Sequence, residues 1–142
     1  LFKKIKKKNK VFVLLSDGEL NEGSTWESLL FACHHKLDNL NIIIDNNKIQ
    51  SLGLVKDIIK LEPLKDKLKS FGAKVYRCNG HNINQLKKCL LIKCKNKPKV
   101  IIADTIKGKG ISFMENNNLW HYKNPNDYEL KKAIEEIETS YA

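Results

Sequence analysis

Four short apolar runs rich in β-branched residues, at positions 11–15, 40–44, 74–78 and 100–103, alternate with stretches of helical periodicity. That alternation is what most limits the fold. Runs of this kind are the pattern of strands covered on both faces. Strands separated by helices join through right-handed βαβ crossovers, so the pattern predicts an α/β domain, a parallel sheet with helices on both faces. The helical stretches have readable ends. Ser24 and Glu27 have capping-box spacing before a stripe of Trp26, Leu29, Leu30, Cys33 and Leu37. Pro63 suits a first helical turn, and Gly72 after Phe71 suits a stop. Asn82 can cap a helix carrying Ile83, Leu86, Leu90 and Leu91. Asn126 or Asp127 opens the last helix, with Leu130, Ala133, Ile134 and Ile137 expected inward.

In such sheets ligands gather outside the C-terminal ends of the strands. Asp17-Gly18 follows the first run, and thirty positions on Asn47 follows the second. A carboxylate and an amide at the ends of neighbouring parallel strands suit Mg²⁺, which takes one or two such protein oxygens and fills its shell with water and phosphate. Taken alone, Asp-Gly and Asn-Asn are ordinary turn pairs. Their place directly after two strands, with a helix between, raises them above that. The helix start near Gly23-Ser24 adds free N–H groups and a positive dipole end for a diphosphate. The loop at 107–110 follows the fourth strand and can reach the same rim.

Composition narrows the function classes. The formal charge is +10, yet the excess is lysine, and Arg77 is the only arginine. Arginine is the favoured residue for bidentate recognition of phosphate and guanine, so no nucleic-acid role is expected. No run approaches a membrane span, and no membrane partner is expected. Cys33, Cys78, Cys89 and Cys94 lack zinc spacing and sit in apolar patterns, which points to reduced thiols in a cytoplasmic protein. His34-His35 lie on a helix without a third ligand and read as surface or packing residues. The chain starts at Leu1, and Phe2-Lys3-Lys4-Ile5-Lys6 reads as the tail of a helix whose beginning is missing, so a fragment is expected.

The run Leu14-Leu15-Ser16-Asp17-Gly18-Glu19-Leu20-Asn21-Glu22-Gly23-Ser24-Thr25-Trp26-Glu27, with Asp45-Asn46-Asn47-Lys48-Ile49-Gln50, resembles the thiamine diphosphate signature of transketolases. The match continues through Leu61-Glu62-Pro63-Leu64, Gly80-His81, the segment from Lys107 to Asn117, and Trp120-His121. It is most similar to the N-terminal subunit of split transketolases. The resemblance implies the thiamine diphosphate-binding fold and makes residues 1–142 the C-terminal part of that domain, with the upstream part missing. It also implies thiamine diphosphate and Mg²⁺ as cofactors. Asp17, Asn47 and the Ile49 carbonyl would hold the metal. Gly18 would lie close to the diphosphate, Lys107 would neutralise phosphate charge, and Ile106 would pack on the thiazolium ring. His121 would contact the diphosphate and the substrate. Glu22 would bridge to a partner domain in a carboxylate relay; read without the family, it is a helix-start carboxylate complementing the dipole.

The implied reaction passes a two-carbon ketol unit from a ketose phosphate to an aldose phosphate. It would need a pyrimidine-binding C-terminal subunit or domain, in a dimer or heterotetramer. Two features depart from the family pattern: Ser16 before Asp-Gly, and Tyr122 in place of the glycine that commonly follows the histidine. The upstream half, with its glycine-rich segment and further substrate-holding histidines, has no counterpart before Val11. Two other functions are compatible with parts of the pattern. One is a different thiamine diphosphate enzyme of the deoxyxylulose-phosphate synthase or ketoacid dehydrogenase type. The other is a non-catalytic basic αβ binding module.

Overall fold

The structure, a computed structural model, describes residue 5 and residues 8–141, with Tyr141 given by its backbone alone. The helix tail expected at positions 2–6 falls, apart from Ile5, outside the described residues. The first two expected strands form as β1 (Val11–Ser16) and β2 (Leu40–Asn46). A short antiparallel hairpin follows, β3 (Ile49–Gln50) and β4 (Gly53–Leu54), which has no periodic signal in the sequence. The other two expected strands are β5 (Lys74–Asn79) and β6 (Lys99–Asp104). All four run one or two residues past the C-terminal end of their apolar runs. The helices are α1 (Gly23–His34), α2 (Val55–Ile58), α3 (Leu64–Ser70), α4 (Ile83–Leu91) and α5 (Asp127–Tyr141).

The main sheet is parallel throughout, in the order β1-β2-β6-β5. The chain runs outward from β1 to β2 and on to β5, then returns to lay β6 between β2 and β5. Right-handed crossovers in opposite directions put their helices on opposite faces. On one face Leu20 and Leu29 join Leu64 and Leu68 of α3 over Ile44, Val75, Val100 and Ile102. Trp26 of α1 meets Phe71 there at 5.4 Å between ring centroids. On the other face α4 packs on β5 and β6, where the buried Cys78 thiol meets Cys89 and burial pushes it up to about 11. All four cysteines are free thiols.

Lys99, 2% exposed, points into that second layer. Its Nζ donates to the carbonyls of Cys89, Leu90 and Ile92 at 3.0, 2.7 and 3.0 Å. A cation there satisfies carbonyls that the end of α4 leaves open and complements the negative end of its dipole.

Several local expectations are corrected. The N-cap of α1 is Glu22, with Gly23 first in the helix, so Ser24 sits inside the first turn and the Ser24–Glu27 capping box does not form. A reciprocal box forms instead at α5: Glu129 N–H donates to Asn126 Oδ1 at 2.8 Å, and Asn126 N–H to Glu129 Oε2 at 2.9 Å. Pro63 is the cap before α3 rather than its first turn. Asn82 caps α4 as expected, accepting from Gln85 N–H, and Gly72 stops α3 with φ +102. Leu30 faces solvent, as do Leu130, Ile134 and Ile137; only Ala133 of the α5 set is buried. The two-faced burial expected of every strand holds for β6, buried from Lys99 to Ala103. It fails for β1, where Phe12 and Leu14 are 56% and 69% exposed because β1 lies at the sheet edge, away from α4.

Arg77 ties the C-terminal rim together. Its guanidinium donates to both oxygens of Asp104 at 2.7 and 2.8 Å and to Glu62 at 2.9 Å. Asn46 donates to Asp104 at 2.7 Å, and Glu62 accepts from Leu64 N–H at the start of α3. Burial opposes ionisation of Asp104, yet the hydrogen bonds from Arg77 and Asn46 hold its carboxyl below the usual 3.8. Burial likewise opposes ionisation of Glu62, but its Leu64 N–H and Arg77 partners outweigh it and hold the carboxyl below 4.5. Arg77→Met is therefore expected to cost about 1–2 kcal/mol at neutral pH, a modest figure because the groups are partly solvated. Both carboxyls have depressed folded pKa values, so this stabilisation is complete above their ordinary pKa values and disappears as pH falls through the folded ones. Urea denaturation of both proteins from neutral to strongly acid pH checks this: the stability gap should close on the acid side.

Candidate functional site

The parallel register sets the level at which each strand ends. Ser16 lies beside Asp45, and Asp45 beside Ala103, so the loops after β1, β2 and β6 leave the sheet at one rim. Asp17 is the first residue beyond β1 and is 1% exposed. Its N–H donates to the Asp45 carbonyl at 3.1 Å, which continues the ladder by one step. Its carboxylate turns toward the next loop, where Oδ2 accepts from Lys48 N–H at 2.6 Å. Burial pushes the Asp17 carboxyl up, and the Asp45 charge pushes the same way; the N–H groups of Lys48 and Gly18 and the charge of Lys107 pull against them.

Asn47 directly follows β2. Its Oδ1 accepts from Ile49 N–H at 2.9 Å, closing an Asx turn, and its Nδ2 donates to Asp45 Oδ1 at 3.4 Å. Between them Lys48 adopts φ +69, a left-handed conformation that disfavours a side chain. That turn is what aims the Lys48 N–H at Asp17. Ile49 is buried at the start of the hairpin. Thus Asp17, Asn47 and Ile49, from two separate stretches of sequence, stand on two adjacent loops that hydrogen-bond to each other.

The other expected residues spread around this pair. An ideal Cβ built on Gly18 meets only ordinary contacts, the nearest 3.7 Å from Gln50 Cγ and Ser16 Oγ. The protein itself therefore does not require glycine there. Glu22 is exposed at the N-cap of α1, with no side-chain hydrogen bond to the helix end. Ile106 and Lys107 are half-buried in the loop after β6, and Lys107 is close enough for its charge to act on Asp17. Gly108 is required by its own loop: its φ is +72, and a Cβ would meet the Met114 carbonyl oxygen at 2.4 Å. His121 is exposed at the end of a 3-10 turn (Asn118–His121).

Other rim residues have no role that sequence reasoning could assign. His81 Nε2 accepts from Ile106 N–H at 2.8 Å and so buttresses the backbone beside Lys107. Tyr122, the departure from the family pattern, donates its hydroxyl to the Ser51 carbonyl at 2.8 Å, and Asn118 Nδ2 donates to the same carbonyl at 3.1 Å. These bonds fasten the His121 turn to the β3–β4 hairpin. Thr105 donates to Asp45, tying β6 to β2 beneath the site. Asn21 and Gln50 join the two loops through their amides. Each of these links spans a long stretch of sequence, and neither of the two local stretches it joins specifies the other.

Among the described residues no three His, Cys, Asp or Glu side chains converge as a metal-binding group. The oxygens of Asp17, Asn47 and the Ile49 backbone are a different donor class, the hard oxygen set that suits Mg²⁺. They fit such an ion chemically. Asp17 is a buried carboxylate that accepts from Lys48 N–H through Oδ2, and a carboxylate has acceptor capacity for further partners. No helix among the described residues is long and apolar enough to cross a membrane.

Comparison with known proteins agrees with this arrangement. Residues 4–137 match the family described as "Transketolase, thiamine diphosphate binding domain". The chain is 47% identical over 136 residues to one subunit of the apulose-4-phosphate transketolase of Actinobacillus succinogenes, a match that covers 95% of this chain and 49% of that protein. It is 36% identical over 132 residues to the 6-deoxy-6-sulfo-D-fructose transketolase subunit SqwG of a Clostridium species, covering 92% and 48%. The chain thus spans about half the length of the curated relatives it matches. Among solved structures, a transketolase from Campylobacter jejuni superposes with a TM-score of 0.86 at 33% identity, over 92% of this chain and 21% of that one. The chain, matched from residue 4 to residue 137 and carrying Asp17 and Asn47 at one rim of its sheet, belongs to the transketolase family as a thiamine diphosphate-binding domain.

Proposed function

We propose that this chain is the thiamine diphosphate- and Mg²⁺-holding part of a transketolase, its residues 1–142 forming the C-terminal part of the diphosphate-binding domain. The observation that carries this reading is the buried Asp17 carboxylate facing the Asn47 turn across two adjacent parallel strands. Asp17, Asn47 and the Ile49 carbonyl would hold Mg²⁺. Gly18, whose missing Cβ the protein does not itself need, would leave room for the diphosphate. Lys107 would neutralise phosphate charge as a point cation, and Ile106 would offer an apolar surface to the cofactor ring.

Thiamine diphosphate, when bound, supplies the electron sink through which a two-carbon ketol unit moves from a ketose phosphate to an aldose phosphate. The chain's own part is to bind, orient and neutralise. Its buried carboxylate attracts the cation, its left-handed turn fixes the loop, and His121 stands on a turn pinned to the hairpin, where it would contact the diphosphate and substrate. Glu22, exposed beside the metal loop, would bridge to a partner in the carboxylate relay.

The partner would be a pyrimidine-binding transketolase subunit or domain, in a dimer or heterotetramer acting on sugar phosphates. Relatives whose names mark them as single subunits of a transketolase support a split arrangement of this kind. A place in the pentose phosphate pathway and a cytoplasmic location belong to the same reading; the four free thiols are compatible with the latter.

In the complete assembly, Asp17→Ala is expected to abolish Mg²⁺-dependent thiamine diphosphate binding, followed by titration calorimetry; unchanged affinity would remove the metal site. Stability should move the other way in Asp17→Asn. The folded pKa of Asp17 is raised, so its ionisation costs stability increasingly as pH rises above the usual 3.8. The amide keeps an acceptor for Lys48 N–H without the charge. The metal-free variant should melt at or above the unmodified protein at neutral pH, and the difference should vanish once pH falls below that ordinary value. With its partner present, the protein should carry out ketol transfer between sugar phosphates and no ketoacid decarboxylation; the opposite result would favour a ketoacid-type enzyme.

A further inference from the structure

The loops carrying Asp17 and Asn47 are joined by two side-chain amides to which cofactor binding gives no task. Asn21 ends the 3-10 turn that follows Asp17, and Gln50 ends β3 after Asn47. Asn21 Nδ2 donates to Gln50 Oε1 at 3.0 Å, across 29 positions of sequence. Gln50 is only 9% exposed. The remaining halves of both amides, Asn21 Oδ1 and Gln50 Nε2, are buried without a hydrogen-bond partner.

Such a pair is a poor way to stabilise a fold. One internal hydrogen bond is set against two buried polar atoms that each keep a desolvation penalty. Two apolar groups of similar shape would serve stability as well or better. What the pair does achieve is geometric. Gln50 lies next to Ile49 and beside Gly18, and Asn21 belongs to the turn that Trp26 Nε1 anchors by donating to the Leu20 carbonyl at 2.8 Å. The pair therefore forms a second link between the two loops, separate from the Lys48-to-Asp17 bond. The left-handed Lys48 turn, unfavourable for a side chain, is then held from both ends.

Resting on the metal-site reading, we infer that the Asn21–Gln50 amide pair is a clamp that sets the separation of the Asp17 and Asn47 loops, positioning their oxygens for one divalent cation. Groups behind metal ligands commonly act in this way, by orienting donors they do not replace.

The test uses the full-length protein with its partner and compares Asn21→Leu, Gln50→Met, their combination, and Asn21→Asp. A carboxylate at position 21 still accepts from Gln50 once that amide turns over, so it serves as the conservative control. Three quantities are read: melting temperature, hydrogen exchange of the Lys48 amide without metal, and the Mg²⁺ concentration that half-saturates thiamine diphosphate binding. The double variant should melt no lower than the unmodified protein. Its Lys48 amide should exchange about tenfold faster, as local opening is released, and its Mg²⁺ requirement should rise about tenfold or more. Asn21→Asp should leave all three near their original values. The clamp is overturned if Lys48 exchange and the Mg²⁺ requirement stay unchanged in the double variant, or if both change only in step with a fall in melting temperature. Absence of Mg²⁺-dependent binding in the unmodified protein would sink the metal-site reading alone, and Lys48 exchange would still decide the clamp.

Discussion

The common register of β1, β2 and β6 is the constraint on which the rest of the molecule depends. Parallel strands in one sheet share a direction, so their C-terminal ends and the loops after them must emerge together. Here Ser16, Asp45 and Ala103 stand side by side, which sets Asp17, Asn46 and Asp104 level just above the core, with Asn47 and Thr105 directly after them. Backbone and side-chain polar groups at such a level are partly shut off from water and need partners. The chain answers with hydrogen bonds that run across the sheet: Arg77 and Asn46 to Asp104, Thr105 to Asp45, Lys48 to Asp17.

Two parts of that rim behave differently. Around Asp104 both carboxylate oxygens accept from donors, and the Arg77 charge favours ionisation. The result is a rigid tie between β2, β5, β6 and the start of α3. Around Asp17 the balance is reversed. The carboxylate is buried, burial raises its pKa, a second carboxylate lies near, the adjoining turn is left-handed at a lysine, and the amides beside it keep unpaired atoms. Local conflicts gathered at one place, beside a region that is fully satisfied, are the expected mark of a site shaped for a ligand rather than for stability.

Much of this is legible in the residue pattern, for reasons that differ from element to element. The four main strands are readable because apolar runs between turn residues have one economical use in a chain of this size. Asp17 and Asn47 are readable because both leave a strand at once, so their position follows from the strand ends. The cap of α1 is not: Ser24 and Glu27 have the right spacing, but the 3-10 turn after Asp17 sets the helix entry at Glu22 and overrides it. The apolar face of α5 promises more than the fold delivers, since periodicity shows that Leu130, Ile134 and Ile137 share a side but not that anything covers it.

The residue pattern alone is enough for the four main strands, for the helices other than α2, and for the polar residues that stand where those strands end, because periodicity and chain exits are properties of neighbouring residues. The β3–β4 hairpin and α2 carry no such signal. Tertiary structure decided the order β1-β2-β6-β5, the exposed edge at Phe12 and Leu14, and the pairs that close the rim. Asn21 with Gln50, Asn46 with Asp104 and Asp45 with Thr105 lie 29, 58 and 60 positions apart. Contacts at that range depend on how the strands pair, and nothing in either local stretch specifies the other.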